Sequence, residues 1–186
     1  MSLDPDAEKV VRARIQVVPD WPSPGVRFQD LSGVMADATA FRLVVDGLGV
    51  AAGARAGARG EAVDQVVGIE ARGFPYGAAL AHHIGAGFIT ARKPGKLPGE
   101  VHARAYELEY GTATLELHRD AIGPGASVVI VDDVLATGGT ATACIDLVRQ
   151  TGASLIAMLF IMHIPGLGGD IAMARAQAPW ASLLQA

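Results

Sequence analysis

The stretch VVIVDDVLATGGTATA, residues 128–143, closes an apolar run with two acids and continues with small residues. The hydrophobic residues before Asp132 and Asp133 predict a buried strand, and residues 139–150 predict the helix that follows it. In open parallel sheets, ligands bind beyond the carboxyl ends of the strands, which is where the two acids would lie. This stretch therefore predicts a parallel α/β sheet together with the position of its binding site.

The rest of the chain mostly repeats the same rhythm of apolar runs and helical stretches. Strands are predicted at residues 63–70, 85–91, 127–133 and 154–162, and helices at 7–18, 41–54, 76–84 and 139–150. Such alternation is typical of parallel strands joined by crossover helices. Residues 101–118 differ, because apolar and polar residues alternate on both sides of Gly111, which predicts an antiparallel hairpin. The tail after residue 162 gives no clear prediction.

Composition limits the classes of partner and compartment. The 186 residues suit one domain, and the formal net charge of −4 provides no general attraction to nucleic acid or anionic membranes. The longest apolar run, residues 155–162, is far shorter than the roughly 20 residues of a membrane-spanning helix. The acidic start MSLDPDAEKV does not have the pattern of a secretion signal, and a single cysteine, Cys144, fits a reducing compartment. We expect a cytoplasmic protein without nucleic-acid or membrane partners.

The acids and the small residues suit a sugar phosphate. A carboxylate pair can accept hydrogen bonds from neighbouring hydroxyls, as on a ribose, or can contact a hydrated Mg²⁺ ion. Small side chains at a helix N-terminus let a phosphate reach the backbone amides, and threonine hydroxyls add donors. The residues expected to hold the phosphate are Ala136, Thr137, Gly138, Gly139 and Thr140. The alternative is a strand that ends in solvated acids before a glycine turn.

Five segments resemble one known family in the same order along the chain. The stretch VVIVDDVLATGGT resembles the phosphoribosyl diphosphate motif of the type I phosphoribosyltransferases, and its ATGGT form is most similar to the branch that uses adenine. The other matching segments are PDWPSPGVRFQDL, GIEARGFPYGAALA, RKPGKLPG with YELEYG, and SLLQ near the C-terminus. Together they cover nearly the whole chain.

The resemblance implies a fold and a reaction. The fold is a twisted, mainly parallel sheet flanked by helices, with a small hood at about residues 1–35, a core at about 36–165 and a flexible hairpin loop at about 93–118. All of this forms a single domain, 1–186. The implied reaction transfers ribose 5-phosphate from phosphoribosyl diphosphate to adenine, giving AMP and diphosphate. Mg²⁺ is implied as a cofactor carried by the sugar diphosphate, without direct protein ligands.

The resemblance also implies roles for the basic residues. Arg72, at the end of a predicted strand, would donate to the diphosphate, and small neighbours allow close approach there. The alternatives for Glu70 are a surface ion pair with Arg72, positioning of Arg72, or contact with metal-bound water. Of only three lysines in the chain, Lys93 and Lys96 cluster beside Arg92. These three cations would bind the leaving diphosphate, unless they form a solvated face, and Arg92 would reach a neighbouring subunit in a homodimer.

Two further roles concern the purine. The match to LEYG assigns proton transfer to Glu109, although Glu107 lies two residues away and alternation alone cannot choose between them. In VRFQD, Phe28 would stack on the base and the backbone around Arg27 would read its edge. Gln29 stands where some relatives carry arginine, a difference that recognition of the base through backbone atoms would tolerate.

Two other functions remain open on the sequence. A 6-oxopurine phosphoribosyltransferase would differ mainly in the base pocket. A non-catalytic regulator that senses phosphoribosyl diphosphate would need a DNA-binding extension with a basic face, and the residues before VRFQD are not notably basic. Adjacent His82 and His83 project about 100° apart on a helix and make a poor metal pair. The segment from His163 to Asp170 departs from relatives and has no assigned role.

Overall fold

The computed structural model describes residues 3–107 and 111–186. Within them the helices are α1 (Pro5–Arg12), α2 (Ser32–Ala36), α3 (Ala38–Gly57), α4 (Gly73–Ile84), α5 (Gly139–Gln150) and α6 (Gly169–Arg175). The strands are β1 (Gln16–Pro19), β2 (Arg27–Asp30), β3 (Gln65–Ile69), β4 (Gly87–Ala91), β5 (Val101–Glu107), β6 (Thr112–His118), β7 (Ser127–Leu135), β8 (Ser154–His163) and β9 (Trp180–Gln185).

The central sheet is parallel, as predicted, and has the strand order β4-β3-β7-β8-β9. Alternate residues of β7 enter two separate cores. Val129 and Val131 pack with α3 and α4, whereas Val128 and Ile130 pack with α5 on the other face. Burial on both faces explains why β7 and β8 are continuous apolar runs. The carboxyl ends of these buried strands form the edge where the acids lie.

Two antiparallel pairs flank this sheet. The predicted hairpin is formed by β5 and β6, with Val101 opposite His118 and Glu107 opposite Thr112. The second pair, β1 with β2, was not predicted. It belongs to the N-terminal segment, and its end is tied to the core where the buried Tyr76 hydroxyl donates to the Leu31 carbonyl over 3.4 Å.

The N-terminal helix is shorter than predicted. The prediction of a helix over residues 7–18 is wrong beyond Arg12, because the chain passes through a turn and continues as β1. The β-branched residues Val17 and Val18 stand before Pro19, a sequence that favours extended backbone. At the other end of the chain, the unassigned tail forms α6 and then β9, a fifth parallel strand beside β8.

Helix α4 begins earlier than the predicted residue 76, directly after Arg72. Pro75 falls in its first turn, where the missing amide hydrogen costs nothing. A Cβ atom on Gly73 would lie 2.5 Å from the Val131 carbonyl oxygen, so only glycine allows α4 to start this close to β7. The start of α4 is thereby fixed beside the acids at the end of β7.

Candidate active site

A cavity of about 660 Å³ opens at the carboxyl ends of the central strands. Its walls come from the N-terminal segment, the end of β7, the loop before α5 and the segment after β8. The sequence-predicted residues that line it are Arg27, Phe28, Arg72, Asp132, Asp133, Ala136, Thr137, Gly138, Gly139 and Thr140. The structure therefore brings the predicted phosphate, ribose and base residues into one cavity.

The two acids lie near the carboxyl end of β7, where Asp133 is buried and Asp132 is partly buried. Asp133 is 3% exposed, and its Oδ1 accepts a hydrogen bond from the Val134 amide over 2.8 Å. The Asp133 amide donates to Asp132 Oδ1 over 2.9 Å. Burial raises the pKa of Asp132 well above its usual range, and the charge of Asp133 raises it further. Burial also raises the pKa of Asp133, against the opposing effect of the Arg72 guanidinium.

Arg72 lies between the acids and the N-terminal segment. Its Nε is 2.7 Å from Asp133 Oδ2, although the N–H does not point along that line closely enough to form a hydrogen bond. The Arg72 Cζ also lies over the Phe28 ring, 5.3 Å from the ring centroid. About half of the arginine side chain remains exposed. One side chain therefore contacts both the acid pair and the aromatic ring.

The loop before α5 leaves backbone amides available for an anion. Gly138 adopts φ +85°, and a Cβ there would lie 2.6 Å from the Ala172 Cβ, so both conformation and space require glycine. No side chain of the described residues caps the first turn of α5. Because the amide groups of a first turn lack partners within their own helix, this N-terminus is suited to a phosphate.

The hairpin packs against the same helix start. A Cβ on Gly139 would lie 3.0 Å from the Glu107 carbonyl oxygen and 3.5 Å from the Tyr106 ring. Further along α5, Arg104 Nη2 forms an ion pair with Asp146 Oδ2 at 2.8 Å. The hairpin arm therefore lies beside the loop before α5. Glu109, the predicted proton-transfer residue, lies outside the described residues.

The basic residues next to Glu70 are Arg92 and Lys93. Glu70 does not pair with Arg72. Its Oε2 instead accepts a hydrogen bond from the Lys93 amide over 2.8 Å and lies 3.4 Å from Arg92 Nε. The amide hydrogen bond is the main cause that lowers the pKa of Glu70. Of the alternatives considered for Glu70, pairing with Arg72 is therefore wrong, because the carboxylate is directed at the segment after β4.

The predicted diphosphate residues do not all meet. Arg92, Lys93 and Lys96 are absent from the described walls of the cavity, whereas Arg72 lines it. Arg92 lies over the Phe74 ring at 5.9 Å and donates to the Lys96 carbonyl over 3.3 Å. These contacts hold Arg92 against Phe74 of α4 and against its own loop rather than at the acid pair.

Aromatic and apolar residues line the end of the cavity formed by the N-terminal segment. Trp21 packs edge-to-face on Phe28, with the ring centroids 4.3 Å apart. Phe28 lines the cavity together with Val26, Ile164 and Leu167, whereas Trp21 does not. Sequence reasoning missed Ile164 and Leu167, which follow β8 in the segment without an assigned role.

The segment from His163 to Asp170 packs against the end of β7 and the loop before α5. The Ile164 amide donates to the Leu135 carbonyl over 2.9 Å, and a Cβ on Gly169 would lie 2.5 Å from the Ala136 carbonyl oxygen. This packing places α6 against the loop before α5. His163 itself is buried, with its ring centroid 5.1 Å from that of Trp180.

Across residues 3–107 and 111–186, no three His, Cys, Asp or Glu side chains come together as a group that could hold a metal ion. In the same residues, no helix combines the length and apolar character needed to cross a membrane.

A crevice beyond parallel strands, with a glycine loop at a helix N-terminus, is the arrangement of α/β proteins that bind phosphorylated ligands. A family model described as a phosphoribosyl transferase domain matches residues 49–166. A curated adenine phosphoribosyltransferase from Methylobacterium nodulans is 44% identical over 183 residues, covering 98% of each chain.

Solved structures agree with these sequence matches. Adenine phosphoribosyltransferase from Thermoanaerobacter pseudethanolicus superposes with a TM-score of 0.87 at 39% identity, covering 96% of this chain and 99% of that one. The Saccharomyces cerevisiae enzyme, complexed with adenine and D-2,5-dideoxy-2,5-imino-altritol 1,6-bisphosphate, gives 0.89 at 34% identity with the same coverage. The chain therefore belongs to the phosphoribosyltransferase family and, within it, to the adenine phosphoribosyltransferases.

Proposed function

We propose that this protein transfers ribose 5-phosphate from phosphoribosyl diphosphate to adenine, forming AMP and diphosphate. The observation that carries the proposal is that the acid pair, the loop at the start of α5 and Phe28 line one cavity. A carboxylate pair, an anion site and an aromatic ring match the hydroxyls, phosphate and base of a single nucleotide. In this proposal residues 1–186 act as one domain, with a hood at about 1–35 and a hairpin loop at about 93–118.

The sugar half of the substrate would be held by the end of β7 and the following loop. Asp132 and Asp133 would accept hydrogen bonds from the ribose hydroxyls, and the backbone of residues 136–140 would donate to the 5-phosphate. When the bond to diphosphate breaks ahead of base attack, positive charge develops on the ribose. The nearby carboxylates favour that charge, so they stabilise the transition state more than the ground state.

The diphosphate half would be held by cations. Arg72 lines the cavity, so it can follow the leaving group with a planar set of N–H donors. Lys93, Arg92 and Lys96 would act from the segment after β4. Glu70 supports this arrangement, because its contacts with Lys93 and Arg92 fix the backbone of that segment. Arg92 would serve the site of a neighbouring subunit in a homodimer.

The acid pair also agrees with Mg²⁺ that arrives on the substrate. Two carboxylates, one of them paired with Arg72, are too few for a binding site built from protein ligands alone. When bound to the sugar diphosphate, Mg²⁺ would neutralise charge on the leaving oxygens.

The purine would stack on Phe28, with the backbone around Arg27 reading its edge. As adenine N9 attacks the ribose, the base must lose a proton, and Glu109 would accept it. Ile164 and Leu167 would exclude water from this end of the cavity.

The direct experiment incubates the protein with phosphoribosyl diphosphate, Mg²⁺ and adenine and measures AMP. We expect AMP from the wild-type protein. The double variant Asp132→Asn, Asp133→Asn should lose about 10²- to 10³-fold in kcat, because neutral amides no longer favour the charge that develops on the ribose. Unchanged circular dichroism would show that the fold is retained. Near-normal turnover by this variant would refute the role assigned to the acid pair.

A further inference from the structure

Arg72 connects the two halves of the cavity. Its guanidinium lies beside Asp133 and also over the Phe28 ring. Both Arg72 and Phe28 line the cavity, so the guanidinium covers a face of the ring that a planar base would need. Trp21, which does not line the cavity, packs on the same ring from outside it. In this arrangement, stacking of a base on Phe28 requires Arg72 to move.

The contacts of Arg72 leave its guanidinium partly free to bind an anion, although Asp133 itself is buried. About half of its side chain is exposed, and its N–H is poorly aligned with Asp133. A partly exposed cation over an aromatic ring adds only a modest attraction. A diphosphate, by contrast, carries several negative charges and can accept two parallel hydrogen bonds from a guanidinium. The stronger anion should therefore draw Arg72 away from both Asp133 and Phe28.

We propose that Arg72, besides binding the diphosphate, couples base binding to diphosphate binding. Without an anion it covers Phe28, and a bound diphosphate group pulls it off the ring and opens the stacking face. This inference rests on the proposed function, because it takes adenine as the base that stacks on Phe28. Since coupling between two sites is reciprocal, adenine must favour diphosphate binding by the same factor.

Isothermal titration calorimetry of the full chain tests the coupling. Adenine is titrated into wild-type protein alone and into protein saturated with inorganic diphosphate and Mg²⁺, a pair that cannot form AMP. We expect diphosphate to tighten adenine binding by about 3- to 10-fold, which is the range of a cation–π contact at a partly exposed site.

The deciding variant is Arg72→Gln, measured without diphosphate. Removing the guanidinium uncovers Phe28, so adenine should bind the variant alone about as tightly as it binds wild-type protein with diphosphate. The matched control is Arg119→Gln, which removes an exposed arginine that is paired with Glu100 at 3.1 Å and lies outside the described cavity walls. Adenine affinity of the control should equal that of the wild type.

Unchanged or weaker adenine binding by Arg72→Gln alone would overturn the proposal. So would wild-type protein whose adenine affinity does not respond to diphosphate. Both failures are separate from failure of the proposed function, because AMP formation is measured independently. A protein that makes AMP but shows no coupling would retain its function and lose this role for Arg72.

Discussion

Arg72 Nε lies 2.7 Å from Asp133 Oδ2, although 60 residues separate the two in the chain. Gly73 makes this possible, since it lets α4 begin against the Val131 carbonyl at the end of β7. Gly73 thus determines where Arg72, which follows β3, meets the acids of the neighbouring strand β7. The ion pair joins the two motifs that sequence analysis identified separately.

The acid pair should reduce the stability of the fold at neutral pH. Burial raises the pKa of Asp132, so between the ordinary and the raised pKa the folded protein binds a proton that the unfolded chain has released. The stability that this bound proton contributes is fully present below the ordinary carboxyl pKa. It is lost as pH rises through the raised pKa of Asp132. Asp132→Asn should therefore raise Tm at pH 7 by about 2–4 °C, the shift expected for roughly 1 kcal/mol in a chain of this size.

The measurement is differential scanning calorimetry of Asp132→Asn and wild type from pH 4 to pH 8. The difference in Tm should be smallest at pH 4 and grow with pH. If the Tm difference between Asp132→Asn and wild type became smaller as pH rises, the charge of Asp132 would not oppose folding.

Gly138→Ala should damage both the fold and the phosphate site. The added Cβ would meet the Ala172 Cβ, and φ +85° is unfavourable for alanine. We expect a loss of about 1–3 kcal/mol in unfolding free energy and weaker binding of phosphoribosyl diphosphate. Gly53→Ala is the matched control: no atom lies within 4 Å of its Cβ position on α3, and the variant should gain about 0.5–1 kcal/mol. Urea unfolding of both variants measures the difference, and equal effects would contradict the packing described for α6.

The acidic residues of the hairpin can be separated by mutation. Glu109→Ala should lower kcat more than it changes the KM for adenine and should alter the pH profile of kcat, as expected for a residue that accepts a proton in the reaction. Glu107→Ala is the matched control, because the alternation of apolar and polar residues in the sequence does not distinguish the two. Steady-state kinetics of both variants decides between them. A larger kcat loss in Glu107→Ala would reassign the proton-transfer role.

Much of the fold could be predicted because buried parallel strands are continuous apolar runs. Residues 128–131 predict β7, and the following acids and glycines predict the binding edge. The strand β9 was missed because Trp180–Gln185 is short, mixes polar and apolar residues and is defined by its pairing with β8. The pair of β1 and β2 was missed because helical spacing continued past Arg12 in the sequence.

The residues of the site show the same limit. The acid pair and the loop could be predicted because their chemistry lies in one local motif. The partner of Glu70 could not be predicted, because it depends on how β3 and β4 end relative to each other. The Glu70 carboxylate contacts Lys93 and Arg92 instead of Arg72. Ile164 and Leu167 gave no signal either, because apolar residues in a loop have no periodicity to interpret.

The central claim is that this protein uses adenine. The most direct measurement offers phosphoribosyl diphosphate and Mg²⁺ with adenine, hypoxanthine, guanine and xanthine in parallel and quantifies each nucleoside monophosphate. We predict AMP as the dominant product, formed at least about 100-fold faster than the others, since mismatched hydrogen bonds in a buried base site are costly. A dominant 6-oxopurine nucleotide would contradict the assignment of the base pocket. The absence of any nucleotide, with phosphoribosyl diphosphate still bound, would contradict catalysis and favour a sensor of the sugar diphosphate.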